Sequence, residues 1–245
     1  MALDGVRGAA MVSGYSLTRR PGHQRMATRL RLPAPERRKQ ILRSAVRVFA
    51  RSNYRAARVA EIAAEAGVSE ALLYKLFPSK QAIFLEILEH MSQRIVLAWQ
   101  EEVDREDDAL TALRNMGVTY YRRMKEHPEE LRVQFQAISE IADREIAERL
   151  RADHESYVRF ISKVIRKGQR QGSIRKSTDI EMLGFLFNGI GILMNMMRLL
   201  SLEGRFNEVL VLRLMDQLID SIKAQPRSDA GRVPVPGGKR KGRKP

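Results

Sequence analysis

From Glu36 to the last apolar stretch near residue 222, hydrophobic residues recur at helical spacing and nowhere alternate as a strand would. The pattern predicts an all-α protein of about nine helices. The first covers 36–51, with Ile41, Ala45, Val48 and Phe49 on one face. Asn53-Tyr54 ends it, because asparagine tolerates the left-handed conformation that terminates helices. A short second helix over 58–66 buries Val59, Ile62 and Ala63. Gly67 breaks the chain, and Ser69 caps a third helix that runs to Leu76. Ser79 caps a long fourth helix over 80–103. Further helices are predicted over 107–126, 128–141, 143–170, 178–201 and 206–223, their ends marked by His127-Pro128, Gly168 to Gly172, Ser177-Thr178 and Gly204. No repeat of solenoid period interrupts this layout.

The ends of the chain differ from its middle. Residues 1–33 lack periodicity, carry six Arg against one Asp and are expected to form a disordered basic arm. Residues 224–245 pass through Val-Pro-Val-Pro-Gly-Gly into Lys239-Arg240-Lys241-Gly242-Arg243-Lys244, the composition of a disordered basic tail. The formal net charge of +15 therefore needs locating. Residues 34–90 hold ten basic and six acidic residues, whereas 91–223 hold 21 of each sign. A nucleic-acid partner is thus expected at the N-terminal helices and not across a neutral C-terminal body.

The span from Val59 to Phe77 has helix-turn-helix spacing. Ala63 is small where two helices cross, Gly67 supplies a positive φ, and Val68 with Leu73 plugs the seam. That packing leaves the outer side of the third helix free to enter a major groove about 12 Å wide. Spacing alone also fits helix pairs that never touch DNA. The run Ile62-Ala63-Ala64-Glu65-Ala66-Gly67-Val68-Ser69-Glu70-Ala71-Leu72-Leu73-Tyr74-Lys75-Leu76-Phe77-Pro78-Ser79-Lys80 goes further. With Phe49 and Tyr54 upstream, it resembles the signature of the TetR family of bacterial regulators.

The resemblance covers 38–88 and implies a helix-turn-helix DNA-binding domain over 34–80, followed by a ligand-binding and dimerisation domain over 81–223. It implies that Tyr74 and Lys80 contact backbone phosphate, which fixes register without reading sequence. Glu70, Ala71, Leu72 and Lys75 are the implied base readers: Lys75 for guanine, Ala71 and Leu72 for a thymine methyl, Glu70 for cytosine N4. Ser69 caps the reading helix. The family usually has Gly at position 53, a hydroxyl residue at 57 and His or Tyr at 76. Ala57 removes a cap and a phosphate contact, for which the charge of Arg58 can substitute.

The body offers no catalytic constellation, so no enzyme activity and no cofactor are expected. Cysteine is absent, and His23, His90, His127 and His154 form no i, i+3 or i+4 pair, so no metal site is expected. The run from Met182 to Met197 contains Asn188 and Asn195 and falls short of the roughly 20 residues of a membrane span. No membrane partner and a cytoplasmic location are expected. Its apolar residues face nearly every direction, and the last helix adds Val209, Leu210, Leu212, Leu214, Met215, Leu218, Ile219 and Ile222, so these two helices are expected to join a homodimer. Gly189 and Gly191 are read as permitting close helix approach. Trp99, Tyr120, Tyr121, Met124, Phe135, Ile138, Phe160 and Phe185 are the candidates for a ligand cavity, a plain core being the competing explanation. Few charges fall among them, which favours a lipophilic effector. The reading is a repressor released from palindromic double-stranded operator DNA by a small molecule. A ligand-independent regulator or an activator on the same fold is the alternative.

Overall fold

The computed structural model describes residues 32–224. Among them the chain forms α1 (Ala34–Ser52), α2 (Val59–Glu65), α3 (Glu70–Leu76), α4 (Lys80–Arg105), α5 (Ala109–Glu126), α6 (Pro128–Ser139), α7 (Arg144–Gln171), α8 (Ile180–Leu199) and α9 (Glu208–Ile222). The only extended pairing among these residues is an isolated bridge between Ile174 and Lys223. The all-α expectation therefore holds. The expected arm and tail fall almost wholly outside the described residues.

Local chemistry accounts for the helix boundaries. Ser69 Oγ accepts from the Leu72 N–H at 3.2 Å and Ser79 Oγ from that of Ala82 at 3.0 Å, so both serines satisfy donors that a helix start leaves free. Asp108, Asp143, Asp179 and Asn207 do the same for α5, α7, α8 and α9. Asn53 sits at φ 62° and Gly67 at φ 63°, the left-handed turns that the pattern required. Nothing lies within 4 Å of a Cβ built on Gly67. Gly67→Ala is therefore expected to cost only the left-handed strain, about 1 kcal/mol, read as a lowered midpoint in urea without a changed slope.

Two hydrophobic clusters organise the molecule. The first joins Ile41, Val48 and Phe49 of α1 to Ile62, Leu73 and Phe77, and it continues into Ile83, Phe84, Ile87 and Met91 of α4. Val133 and Ala137 of α6 and Ile146 of α7 complete it. The core beneath the helix-turn-helix thus extends well past residue 80. The second cluster holds Ile95 and Trp99 of α4 against Leu113, Met116 and Tyr120 of α5, Tyr157 and Ile161 of α7, and residues of α8 and α9. One helix, α4, therefore starts in the first core and finishes in the second.

Three details differ from the sequence expectations. α8 is 20 residues long with a mean hydropathy of 1.5 over its apolar window, so it does reach the length of a membrane span. Glu181 and Arg198 lie inside it, within a turn of its ends, so the uncharged run between them is shorter than the helix itself. Its Asn188 pairs with His154 and its Asn195 with Tyr120, so one side is packed into the protein. A Cβ added to Gly189 would meet nothing within 4 Å, so among the described residues no helix of the same subunit approaches closely there. At Gly191 an added Cβ would stand 3.3 Å from the Tyr120 ring, and at Gly184 it would meet Ser162 Oγ at 3.0 Å, where α7 and α8 pack. Finally, Ala57 is buried, and the α2 cap position belongs to Arg58, whose N–H donates to Glu61 Oε2 at 3.2 Å.

Candidate functional site

Two sites lie at opposite ends of α4. At the first, α2 and α3 are closed by Ile62, Ala63, Ala66 and Leu73, all buried. That fixes which way α3 faces. Glu70, Ala71, Tyr74 and Lys75 are exposed, and at 100° per residue they share one side of the helix. Tyr74 is 50% exposed, unusual for so large a ring in a well-packed head. Leu72 is half-buried at the margin of that face, and Ser69 is exposed but its hydroxyl caps α3. Arg58 is exposed at the start of α2.

Lys80 is placed differently from the expectation. Its ammonium donates to the carbonyls of Tyr54 at 2.8 Å, Arg55 at 3.2 Å and Ala57 at 3.0 Å, and lies 4.8 Å from the centre of the Tyr54 ring. An ammonium has three N–H donors, and all three are spent on the α1–α2 connection. In this DNA-free structure Lys80 thus bolts the start of α4 to the segment leading into α2. Beneath it Phe49, Tyr54 and Phe84 pack as an aromatic group with centroids 4.4–5.8 Å apart.

A second bolt carries no signal in the sequence. Arg38 of α1 donates to the Leu76 carbonyl at 2.6 Å, pairs with Glu86 of α4 and covers the Phe77 ring at 4.1 Å. It joins α1, the end of α3 and α4, and Glu86 holds its guanidinium above the ordinary arginine range. Gln136 of α6 donates to the Phe49 carbonyl at 2.9 Å, tying the body to the end of α1.

At the other end of α4 is a cavity of about 60 Å³ between α4, α5, α6, α7, α8 and α9. Trp99, Tyr120, Phe135 and Ile138 line it as expected, Ile138 being partly exposed. Tyr121, Met124, Phe160 and Phe185 do not. Tyr121 and Met124 are buried in the core beside it, Arg198 covering the Tyr121 ring at 4.9 Å. Phe160 packs against Trp99 with ring centres 6.0 Å apart, and Phe185 is 59% exposed on the surface of α8. The lining also includes Tyr157, His154, Asn188, Asn195 and Gln134, to which the apolar pattern did not point. Asn188 and Asn195 stand seven residues apart on an otherwise apolar helix, hence on one side of it, and that spacing was the available signal.

Between the cavity and the first core, α7 carries a buried polar group. Asp153 pairs with Arg149, and Ser92 of α4 hydrogen-bonds it. Burial raises the Asp153 carboxyl above its ordinary range despite both partners. On the far side of α8 and on α9, Met182, Phe185, Leu193, Met196 and Val209 are between 41% and 65% exposed, an apolar face with nothing over it among the described residues.

Residues 41–87 match the family model described as bacterial regulatory proteins, tetR family. Over 66 residues, 27% of the chain, the sequence is 44% identical to the HTH-type transcriptional activator FasR of Mycolicibacterium smegmatis, covering 30% of that protein. Over 143 residues, 58% of the chain, it is 20% identical to the fatty acid metabolism regulator protein of Bacillus subtilis, covering 73% of it. The chain spans only 30–40% of the length of the first curated relatives it matches. The crystal structure of the transcriptional regulator FadR from Bacillus subtilis in complex with stearoyl-CoA superposes with a TM-score of 0.64 at 17% identity, covering 74% of this chain and 95% of that one. At that identity the likeness is one of fold. Residues 41–87 carry the pattern of the tetR family of bacterial regulatory proteins, and the described helices share the fold of the FadR structure.

Proposed function

We propose that the protein is a dimeric, ligand-responsive transcriptional regulator that binds operator DNA through α3 and is released from it when a lipophilic molecule enters the cavity. The single observation behind this reading is the course of α4, which begins under the reading helix at Ile83 and Phe84 and ends at the cavity wall with Trp99. A cavity of about 60 Å³ has room for only a few water-sized groups. A larger effector has to part the helices around it, and α4 transmits that displacement to the head. Two reading helices must lie about one DNA turn, ~34 Å, apart, so a shift of α4 in each subunit spoils the match. The effector weakens DNA binding only by as much as it prefers the parted state.

The exposed face of α3 supplies the DNA contacts in this reading: Tyr74 to phosphate, and Glu70, Ala71, Leu72 and Lys75 to bases, with Arg58 beside them. The bare apolar face of α8 and α9 supplies the homodimer contact, and twofold symmetry matches a palindromic operator. Repression is the favoured sense of regulation, although one relative is named an activator. Such a protein works in the cytoplasm, beside the chromosome, and performs no catalysis.

The test is a mobility shift on the DNA upstream of the protein's own gene at two salt concentrations. Wild type is expected to shift it in the presence of competitor DNA and to weaken as salt rises. Tyr74→Phe and Lys75→Ala are each expected to weaken specific binding by roughly tenfold, the scale of one lost DNA contact, without altering the melting temperature. Binding that competitor abolishes, and that is equal in both variants, would leave α3 without a reading role.

A further inference from the structure

The apolar lining of the cavity leaves part of its chemistry unexplained. Among the described residues, three side-chain polar atoms of residues lining it are buried without a hydrogen-bond partner, and reach a ligand only as the surrounding helices part: Trp99 Nε1, Asn195 Oδ1 and Gln134 Oε1. Trp99 is 8% exposed and Asn195 2%, so bulk water does not satisfy them. Buried polar atoms in native proteins are overwhelmingly paired, and each exception asks for a partner. The Asn195 side chain is held firmly, its Nδ2 donating to Tyr120 Oη at 2.6 Å, and this leaves the other end of the amide bare. Tyr120 also stands 6.2 Å from Trp99, ring centre to ring centre, so Trp99 and Asn195 both neighbour this one tyrosine.

The same wall is poor in charge. Among the described residues no Asp, Glu, Lys or Arg lines it, and His154, whose Nδ1 lies 3.1 Å from the Asn188 amide nitrogen, is the one imidazole there. Burial pushes the Tyr120 hydroxyl up to about 12, against the pull of its Asn195 bond, and burial pushes Tyr157 upward as well. Both phenols therefore stay neutral.

We propose that the cavity takes a neutral, largely apolar ligand bearing an amide-like group, whose carbonyl accepts from Trp99 Nε1 and whose N–H donates to Asn195 Oδ1. Gln134 Oε1 offers a further acceptor for a second N–H. This rests on the ligand-responsive reading above and names the chemistry of that ligand. A carboxylate offers only acceptors, so it would set lone pairs against Asn195 Oδ1 and bring a charge into an apolar wall. A hydrocarbon would leave all three atoms unpaired.

Trp99 is the only tryptophan of the chain, so its emission reports directly on this site. The full-length protein is titrated at pH 7.5 with 4-butylbenzamide, 4-butylbenzoate and 4-butylbenzoyl-coenzyme A, following Trp99 emission and operator affinity together. The amide is expected to bind at least tenfold more tightly than either charged probe and to weaken operator binding. Asn195→Leu is expected to cut amide affinity by about tenfold and leave the benzoate unchanged. Gln134→Leu, on the partly exposed α6, gives a second reading if Asn195→Leu does not fold, with a smaller loss expected for the amide alone. Tighter or equal binding of the benzoate or the thioester, with operator release, would overturn the amide assignment and leave the ligand-responsive reading standing. If no probe changes either signal, the cavity is not a ligand site and both fall.

Discussion

Lys80→Met is expected to lower the unfolding free energy by about 2–3 kcal/mol and to abolish specific DNA binding as a consequence. The carbonyls of Tyr54, Arg55 and Ala57 lose their shared donor, and methionine keeps the aliphatic stem while offering nothing in its place. Hydrogen bonds from a charged group are worth about 1.5–3 kcal/mol each in favourable settings, but Lys80 is only partly buried and water replaces some of what is lost. Urea unfolding measures the loss. It also separates the two roles that a lysine at this position can have. A phosphate ligand replaced by methionine would leave stability intact and reduce affinity by a modest factor, with a shallower salt dependence. A bolt replaced by methionine loosens the α1–α2 connection first, and Tyr54, packed 4.4 Å from the Phe84 ring, loses its cation as well. Lys80→Arg is expected to recover little, because a planar fork does not reproduce three divergent N–H directions.

The second large effect is expected from the face of α8. Phe185→Glu combined with Leu193→Glu is expected to convert the proposed dimer to a monomer, read by sedimentation velocity, and to reduce operator affinity by at least a hundredfold. Phe185 is 59% exposed and Leu193 41%, so neither carboxylate disturbs the subunit's own core. Helical content and the second core, including Trp99 and Leu113, should survive. Across a twofold axis the same patch is presented by both subunits, so four carboxylates would replace four apolar side chains and association becomes unfavourable. Affinity then falls because a monomer grips one half-site, losing the gain that comes from tethering two readers. An unchanged sedimentation coefficient would move the subunit contact elsewhere.

Much of the fold was legible because helix ends are decided locally. Ser69, Ser79 and Asn207 bring their caps with them, and Asn53 and Gly67 bring their turns, whatever the rest of the chain does. The exposed face of α3 was legible for a related reason: once Leu73 is inward, geometry alone turns Glu70, Ala71, Tyr74 and Lys75 outward. What a motif does not disclose is the partner of a flexible side chain. Lys80 and Arg38 both reach across 20 or more residues of sequence to carbonyls that no spacing rule singles out. The cavity was half legible for a similar reason. Trp99, Tyr120, Phe135 and Ile138 announce themselves by bulk, but so do Tyr121 and Phe160, and only the packed helices decide which of them faces the void. Asn188 and Asn195 stand out in the sequence as interruptions of an apolar run, whereas their chemical weight comes from what they face on α5 and α7.

The family pattern ends at residue 87, but the core under the reading helix does not. Val133, Ala137 and Ile146 complete it, and Gln136 fastens α6 to the last turn of α1. A chimera spliced in α4, with this head grafted onto another sensor, would carry an apolar gap where α6 belongs. Such a chimera is expected to fold only where the incoming body brings a matching α6. The buttress of the head is thereby held to the same packing constraint as the head itself.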